Sequence, residues 1–442
     1  MAVSGRFVAL LALGLVPVVL FGTASPGAWL ALGCWLVFAC ALGAIDLVAA
    51  SSPRRVRVER MLPARSRLGE TVPVALAVTN LGGRRIHGRL RDGWQPSAGA
   101  APARLPLDVP AGERRMLRLT LTPRRRGTRR SAFVVVRSSG PLGLWSRQAT
   151  LAAPGELRVL PPFTSRKHLP SRLARLRELE GSTPVMVRGQ GTEFDSLRDY
   201  VAGDDVRSID WRATARRSAS TPEGSRIMVR TWRPERDRRV VIVIDTGRTS
   251  AARVVDEPRI DTYFESALLL GALADHGGDR VDVLAFDRRP RARVIGAKGS
   301  ELLSRLVTAL ADVQPELIEA DWSAVPAQVR AITRHHALVV LLTDASAPGS
   351  STGLLAALPQ LTRSHTVVVA SVTDPALSEA AADRGGTESV YTAAAAERGL
   401  LDAARVAGAI RQLGADVVSG PPAELPPALA DRYIALKAAG RL

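Results

Sequence analysis

Two apolar runs at the N-terminus constrain the fold of this chain more than any other feature. Residues 7–24 and 28–50 consist almost entirely of apolar side chains, and Asp46 is their only acid. At about 1.5 Å per residue in a helix, runs of this length approach or exceed the roughly 30 Å hydrocarbon core of a bilayer. Ser25-Pro26-Gly27 lies between them and predicts a turn. We therefore expect a transmembrane helical hairpin over residues 1–53.

The alternative for the first run is a cleaved signal peptide, because Arg6 precedes it and residues 22–24 resemble a cleavage site. The second run follows at once, which favours the hairpin. Arginines flank the hairpin before its start and after its end, and such residues stay on the cytoplasmic side. We therefore expect a cell (inner) membrane protein with two spans and cytoplasmic soluble domains. Cys34 and Cys40 are too far apart on one helix for a disulfide.

Short alternating runs separated by turn signals follow over residues 54–160. Their apolar stretches are residues 56–58, 72–78, 116–121 and 133–136. Several short strands without a helical period predict an immunoglobulin-like β-sandwich. The basic residues 124–130 are expected to form a solvated hairpin loop, with a contact to the membrane surface as the alternative. Residues 140–147, GPLGLWSR, form a turn to which we assign no chemistry.

Residues 161–237 are expected to be a linker and a charge-dense segment, with an amphipathic helix over residues 171–180. The charge-dense segment is residues 189–216, where acids and bases alternate between apolar side chains. Packing such a mixture costs desolvation energy unless each charge has a partner. The candidate functional residues here are Glu193, Arg198, Tyr200, Asp204, Asp205, Arg207, Asp210, Trp211 and Arg216.

The pattern E-F-x-x-L-R-x-Y-x-x-G-D-D-x-R-x-I-D-W-x-x-x-A-R begins at Glu193 and resembles the signature of the bacterial domain-of-unknown-function 58 family. We weigh two roles for it. The first is a salt-bridge clasp across a sheet edge, with Trp211 as its apolar anchor. The second is a surface that a partner protein recognises, since Arg and Trp concentrate binding energy at interfaces.

Residues 238–442 alternate buried β-branched runs with helical patterns, which predicts a doubly wound parallel sheet. The strand ending at Asp245 and the strand before Asp344 each finish in an acid. This order of elements resembles a von Willebrand factor type A domain. The predicted fold class is therefore multidomain: a transmembrane hairpin, an immunoglobulin-like β-sandwich and an α/β doubly wound domain.

The resemblance to A-type domains implies a magnesium site, because such domains bind the ion through D-x-S-x-S, a distant Thr and a later Asp. Here Asp245, Thr249 and Asp344 match that pattern, while Gly247 removes one hydroxyl ligand and Ser323 is a loose counterpart of the distant Thr. Oxygen ligands at strand ends suit Mg²⁺. The alternative is that Asp245 and Asp344 bond loop amides or cap helices.

The sequence gives little support to catalysis. It contains no G-x-S-x-G elbow, HExxH, C-x-x-C or phosphate-binding loop. Proteins of the resembled family often occur beside MoxR-type AAA+ ATPases, which implies a membrane-anchored, non-enzymatic adaptor or assembly factor. The net charge of +18 leaves an electrostatic binder of an anionic polymer or lipid surface as one alternative. A metal-dependent, protein-binding A-type domain is the other. We expect no specific nucleic-acid partner and no small-molecule substrate.

Overall fold

A computed structural model describes residues 2–21, 25–182, 193–201, 204–220, 227–233 and 238–442. The chain divides into two compact units, Met1–Pro162 and Phe163–Leu442. The predicted hairpin and the β strands therefore share the first unit. The predicted linker and the charge-dense segment belong to the same unit as the α/β domain.

Three helices open the first unit: α1 (Gly5–Leu13), α2 (Leu15–Phe21) and α3 (Ser25–Ala49). One helical stretch, Gly27–Arg55, is long and apolar enough to cross a membrane by length and composition, and the helical stretch Gly5–Leu20 is shorter. The predicted turn at Ser25-Pro26-Gly27 is wrong, since these residues form the first turn of α3. Proline is compatible with that position because the first N–H groups of a helix have no intrahelical partner.

Ten strands follow the pattern of a two-sheet β domain. One sheet has the order β1-β10-β9-β5-β7, with β3 also paired to β10, and the other has the order β2-β4-β8-β6. The strands are β1 Ala2–Val3, β2 Val56–Met61, β3 Arg65–Arg67, β4 Val72–Asn80, β5 Ile86–Trp94, β6 Ala100–Ala101, β7 Leu105–Val109, β8 Arg114–Leu121, β9 Gly127–Ser139 and β10 Trp145–Leu160.

The core of this domain lies between the two sheets. Alternate residues of β4 and β8, such as Val74, Leu76 and Leu121, pack with residues of β5, β7 and β9, including Leu90 and Val136. A β-rich domain is therefore confirmed. Sequence patterning missed β5, β7 and β10, because their buried positions are interrupted by arginine, proline and glycine.

The second unit alternates strands and helices. Its elements are α4 Leu169–Ser182, β11 Glu193–Asp199, α5 Trp211–Ser220, β12 Met228–Arg233, β13 Arg239–Asp245, β14 Arg253–Val254, β15 Glu257–Pro258, α6 Arg259–His276, β16 Arg280–Phe286, β17 Pro290–Val294, α7 Gly299–Ala311, α8 Val325–Ile332, β18 Leu338–Leu342, α9 Pro348–Thr362, β19 Thr366–Val372, α10 Pro375–Ala382, α11 Thr387–Gln412, β20 Asp416–Gly420 and α12 Leu425–Ala438.

A six-stranded sheet with the order β17-β16-β13-β18-β19-β20 forms the centre of this unit. All neighbours are parallel except β17, which is antiparallel to β16. The five parallel strands follow the chain order 2-1-3-4-5. In sheets of this kind the order reverses between the first and third strands, here β13 and β18, and ligands bind outside the carboxyl ends at that point.

Both faces of the sheet are covered. Val241 and Val243 face the side that packs against α8, α9 and α11, whereas Ile242 and Ile244 are fully buried on the opposite side, and α6 contacts both β13 and β16. The predicted α/β architecture is confirmed. Strand β20 and helix α12 follow the long helix α11 in the chain.

Candidate functional site

The charge-dense segment forms a small substructure of its own. Strand β11 pairs antiparallel with β12, and α5 lies between them in the chain. Ile209 bridges Val229 just before α5 begins. Ala213 and Thr214 of α5 are buried, as are Met228 and Val229 of β12. The two strands therefore hold the start of α5 in a defined position.

Asp210 is the N-cap of α5 and the centre of this arrangement. Its Oδ1 accepts hydrogen bonds from the backbone N–H of Arg212 (3.0 Å) and Ala213 (2.9 Å), and its Oδ2 accepts one from Nε of Arg230 (2.8 Å). The Ala213 amide, followed by the Arg230 side chain, lowers the pKa of Asp210. The carboxylate is thus committed to holding the helix start against β12, as the clasp hypothesis requires.

A second carboxylate fixes the turn before α5. Asp204 accepts hydrogen bonds from Nη2 of Arg198 (2.6 Å) and from the backbone N–H of Val201 (3.0 Å). Asp205 accepts one from the Arg207 backbone N–H (3.0 Å) and caps a short 3-10 turn. The structure therefore joins Arg198 to Asp204 and Asp210 to Arg230, while the Arg207 side chain is exposed.

Trp211 does not anchor the clasp. Its side chain is 65% exposed at the first residue of α5, so the predicted apolar anchor is wrong. Exposed Val206 and Arg207 lie just before it in the chain. The physical reason is that Asp210, which caps the helix, holds the backbone and leaves the next side chain free to point outward.

The remaining predicted residues of this segment have lesser roles. Tyr200 continues the strand pairing through its backbone N–H to Ile227 (2.8 Å). Arg216 is exposed and donates from Nε to the carbonyl of Arg212 (3.3 Å). Glu193 begins β11, and its side chain lies outside the described residues.

The carboxyl ends of β13 and β18 bring Asp245 and Asp344 to the point where strand order reverses. Asp245 is almost completely buried and accepts hydrogen bonds from the Gly247 N–H (2.7 Å) and from the hydroxyls of Thr343 (2.8 Å) and Thr249 (3.2 Å). Burial raises the pKa of Asp245, a rise that these bonds oppose and the nearby Asp344 charge reinforces. Asp245 and Thr249 thus meet as predicted.

Asp344 has a cation of its own. Nη1 of Arg259, the first residue of α6, lies 3.0 Å from Oδ2 of Asp344, and both side chains are largely buried. Asp344 also accepts hydrogen bonds from the backbone N–H (3.2 Å) and the hydroxyl (2.9 Å) of Ser346. A guanidinium therefore neutralises the acid that the metal hypothesis assigned to magnesium.

These donors do not fit a magnesium site. The oxygens of Asp245 and Asp344 are engaged by protein donors, and a fixed guanidinium would repel a divalent cation. Ser323 donates instead to Asp321 (2.5 Å) before α8. Within the part of the chain that the structure describes, no three His, Cys, Asp or Glu side chains are placed to hold a metal. The alternative prediction, that both acids bond loop amides, agrees with the geometry.

Sequence reasoning missed several residues that complete these sites, among them Arg230, Arg259 and Thr343. Arg230 lies on β12, twenty positions after its partner, and Arg259 precedes Asp344 by 85 positions. Pairings over such separations leave no local pattern. Thr343 alone carried a signal, because it directly follows β18 and precedes Asp344 at a strand end.

Comparison with known proteins finds a family model and several relatives that match part of the second unit. A family model described as "Protein of unknown function DUF58" matches residues 196–403, which confirms the resemblance predicted from the signature. Uncharacterized proteins of Mycobacterium bovis and Mycobacterium tuberculosis are 24% identical over 199 residues, covering 45% of this chain. The chain spans 60% of the length of these curated relatives.

Solved structures are similar to this chain only in part. A CARDB domain from Pyrococcus furiosus matches 24% of this chain and 91% of its own length, with 17% identity and a TM-score of 0.19. A β-glucosidase from Listeria innocua matches 25% of this chain and 16% of its own length, with 17% identity and a TM-score of 0.18.

Proposed function

Because residues 196–403 are a DUF58 region, we propose that this protein is a membrane-anchored, non-enzymatic adaptor or assembly factor. In this proposal an immunoglobulin-like β domain and a von Willebrand A-like domain act together with a MoxR-type AAA+ ATPase. One observation carries the proposal: a clasp held by hydrogen bonds and ion pairs presents an exposed tryptophan.

The clasp supports binding more than chemistry. The carboxylates of Asp204 and Asp210 are held by arginines and backbone N–H groups, so they position the backbone. The residue they expose, Trp211, is of the type that most often dominates binding energy at interfaces. Arg207 and Arg212, both exposed beside it, add charges that a partner with an acidic surface recognises.

Membrane anchoring rests on the N-terminal helices. We propose that α1 and α2 pack beside α3 as a two-span hairpin with the soluble domains in the cytoplasm. Nε1 of Trp35 on α3 donates to the carbonyl of Leu10 on α1 (3.1 Å). Gly14 permits this approach, since a Cβ there would lie 2.2 Å from Trp35. Close packing at small residues is typical of membrane helix pairs.

Co-purification tests the adaptor proposal. Detergent-solubilised protein is expected to retain a MoxR-type ATPase in a nucleotide-dependent way. Trp211→Ala should weaken that association about 30-fold, since truncating an interface hot spot costs about 2 kcal/mol or more. The melting temperature of the Trp211→Ala variant should equal that of the wild-type protein, because the Trp211 side chain is largely exposed.

Tyr391→Ala is the matched control. Tyr391 is 76% exposed on α11, so its removal deletes a similar exposed aromatic ring far from the clasp in sequence. Equal losses in both variants would point to nonspecific adhesion. Retention of no ATPase by the wild-type protein, with or without nucleotide, would overturn the proposal.

A basic cavity favours a second candidate, binding of an anionic polymer. The cavity has a volume of about 380 Å³, and its lining includes Arg238, Arg239, Arg280, His335 and His336. Polyanion binding that involves 6–10 phosphate contacts falls by about 10³–10⁵ between 50 and 200 mM salt. ATPase docking through Trp211 should change far less over that range, which separates the two functions.

A further inference from the structure

Asp46 ties helix α3 to the β domain within the first unit. Its carboxylate is fully buried in an otherwise apolar helix. It accepts hydrogen bonds from the backbone N–H groups of Leu142 (2.8 Å), Leu144 (2.7 Å) and Trp145 (3.1 Å). Three N–H donors to one carboxylate form a strong and directional contact. The GPLGLWSR turn therefore receives the end of α3.

Two glycines allow this approach. A Cβ on Gly140 would lie 2.1 Å from the backbone oxygen of Asp46, and a Cβ on Gly43 would lie 2.6 Å from the Trp145 ring. Phe7 of α1 stacks edge-on against the same ring, with centroids 5.3 Å apart. The position of the β domain along α3 is thus fixed by shape as well as by hydrogen bonds.

Exposed arginines and apolar side chains surround this junction. Nη1 of Arg84 reaches the carbonyl of Val48 near the end of α3 (3.4 Å), and Nη1 of Arg6 reaches the carbonyl of Leu142 (3.4 Å). The Leu81 N–H donates to the carbonyl of Arg55 (2.8 Å). We call this region the α3 end of the β domain, and its exposed side chains are Arg6, Arg54, Arg55, Leu81, Arg84 and Leu142.

The solvated hairpin loop predicted for residues 124–130 is wrong: the loop ends where β9 begins at Gly127, it joins strands of the two different sheets, and Arg126 is buried. Exposed Arg124 and Arg125 lie at the other end of the β domain. Strand β9, Gly127–Ser139, begins in this stretch and ends next to Gly140. At about 3.3 Å per residue its 13 residues span roughly 40 Å. Residues 124–126 are therefore far from the junction with α3. If α3 crosses a membrane, the end of the β domain that faces the membrane is the one that contacts α3, and not the end that carries residues 124–126.

We propose that the α3 end of the β domain is a lipid-contact surface that binds anionic headgroups. The inference rests on the proposed membrane anchor. If α3 crosses the bilayer, Asp46 holds this end of the domain at the headgroup layer. The arginines there are attracted to anionic lipid, while Leu81 (57% exposed) and Leu142 (47% exposed) offer apolar side chains to the interface.

Fluorescence quenching tests the proposal on the full chain in vesicles. The chain carries Cys34→Ser and Cys40→Ser, and a fluorophore is attached to the single cysteine introduced by Leu142→Cys or by Arg125→Cys. The vesicles contain phosphatidylcholine, with or without phosphatidylserine, and a lipid that carries a nitroxide on its headgroup. We expect several-fold stronger quenching at position 142 than at position 125, and an increase at position 142 when phosphatidylserine is present.

A charge-matched pair of variants isolates the arginines. With the label at position 142, Arg54→Gln/Arg84→Gln should lose most of the increase caused by phosphatidylserine. Arg124→Gln/Arg125→Gln removes the same charge at the far end and should keep that increase. Equal quenching at positions 142 and 125, or equal loss in both double variants, would overturn the proposal.

Flotation separates this proposal from the membrane anchor on which it rests. If the labelled chain does not float with the vesicles, the anchor itself is wrong and the lipid-contact surface falls with it. If the chain floats but position 142 is not quenched, the anchor stands and only the lipid-contact surface is wrong.

Discussion

Two clusters of aspartates in the second unit are both satisfied by protein donors, but one cluster is buried and the other is partly exposed to solvent. At the strand ends, Asp245 and Asp344 are buried and satisfied by hydroxyls, amides and Arg259. In the charge-dense segment, Asp204 and Asp210 are paired with Arg198 and Arg230, whose side chains are 41% and 44% exposed. In the first cluster, protein donors occupy the carboxylates at the carboxyl ends of β13 and β18, where a magnesium site was predicted. The second holds a short segment whose apolar residue faces solvent.

This difference shows where binding is expected. A buried ion pair contributes little net stability, but the loss of one partner is severe. A partly exposed pair costs less to break and can hold a segment without sealing it. We therefore propose partner recognition for the segment that carries Trp211 and a structural role for the strand ends.

Removal of Arg259 should have the largest effect. Arg259→Ala leaves Asp344 as a buried carboxylate without its cation, so we expect the free energy of unfolding to fall by about 3–5 kcal/mol. Urea denaturation of the solubilised protein measures this loss. Adding Asp344→Asn to Arg259→Ala should recover part of it, because the uncompensated charge is then gone.

Arg248→Ala is the matched control for that prediction. Arg248 pairs with Glu319 near the same sheet edge, but both side chains are 58% exposed, so the expected loss is below about 1 kcal/mol. A similar small loss for Arg259→Ala would show that the strand-end acids are more accessible to solvent than their burial indicates.

The two clusters also differ from the central strands in how far they could be predicted from the sequence. Buried β-branched runs such as residues 240–244 predicted the central strands, because apolar burial on both faces leaves a local pattern. Asp204 and Asp210 were found in a different way, from the density of charges in residues 189–216 and from the resemblance of this segment to a family signature. Their arginine partners and the outward orientation of Trp211 depend on strand pairing and helix capping between distant segments, which no local periodicity encodes.

Opposite pH trends should distinguish Asp210 from Asp245. Hydrogen bonds from the Ala213 amide and Arg230 lower the pKa of Asp210 below 3.8. Its stabilising contribution is therefore present above that pH and is lost as the pH falls through the lowered value. The stability deficit of Asp210→Asn should be full at pH 7 and shrink in acid.

For Asp245, burial raises the pKa above 3.8, so the folded state binds the proton more tightly than the unfolded state does. Its favourable contribution is present below 3.8 and is lost as the pH rises through the raised value. Asp245→Asn should therefore gain stability relative to the wild-type protein as the pH rises. Thermal melting of the three proteins from pH 3 to pH 8 measures both trends, and parallel curves for the two variants would contradict the assigned environments.

The smallest expected effect is that of magnesium on the strand-end cluster. A site with a dissociation constant of about 0.1 mM would stabilise the folded state by about 2.7 kcal/mol at 10 mM Mg²⁺. That corresponds to a rise in melting temperature of about 5 °C or more for a domain of this size. Because Arg259 already neutralises Asp344 and Asp245 is filled by its own donors, we expect no rise. A rise that Asp245→Ala abolishes would restore the metal-dependent A-type domain as the better hypothesis. The strand-end cluster would then be the binding site, and the charge-dense segment would have the structural role.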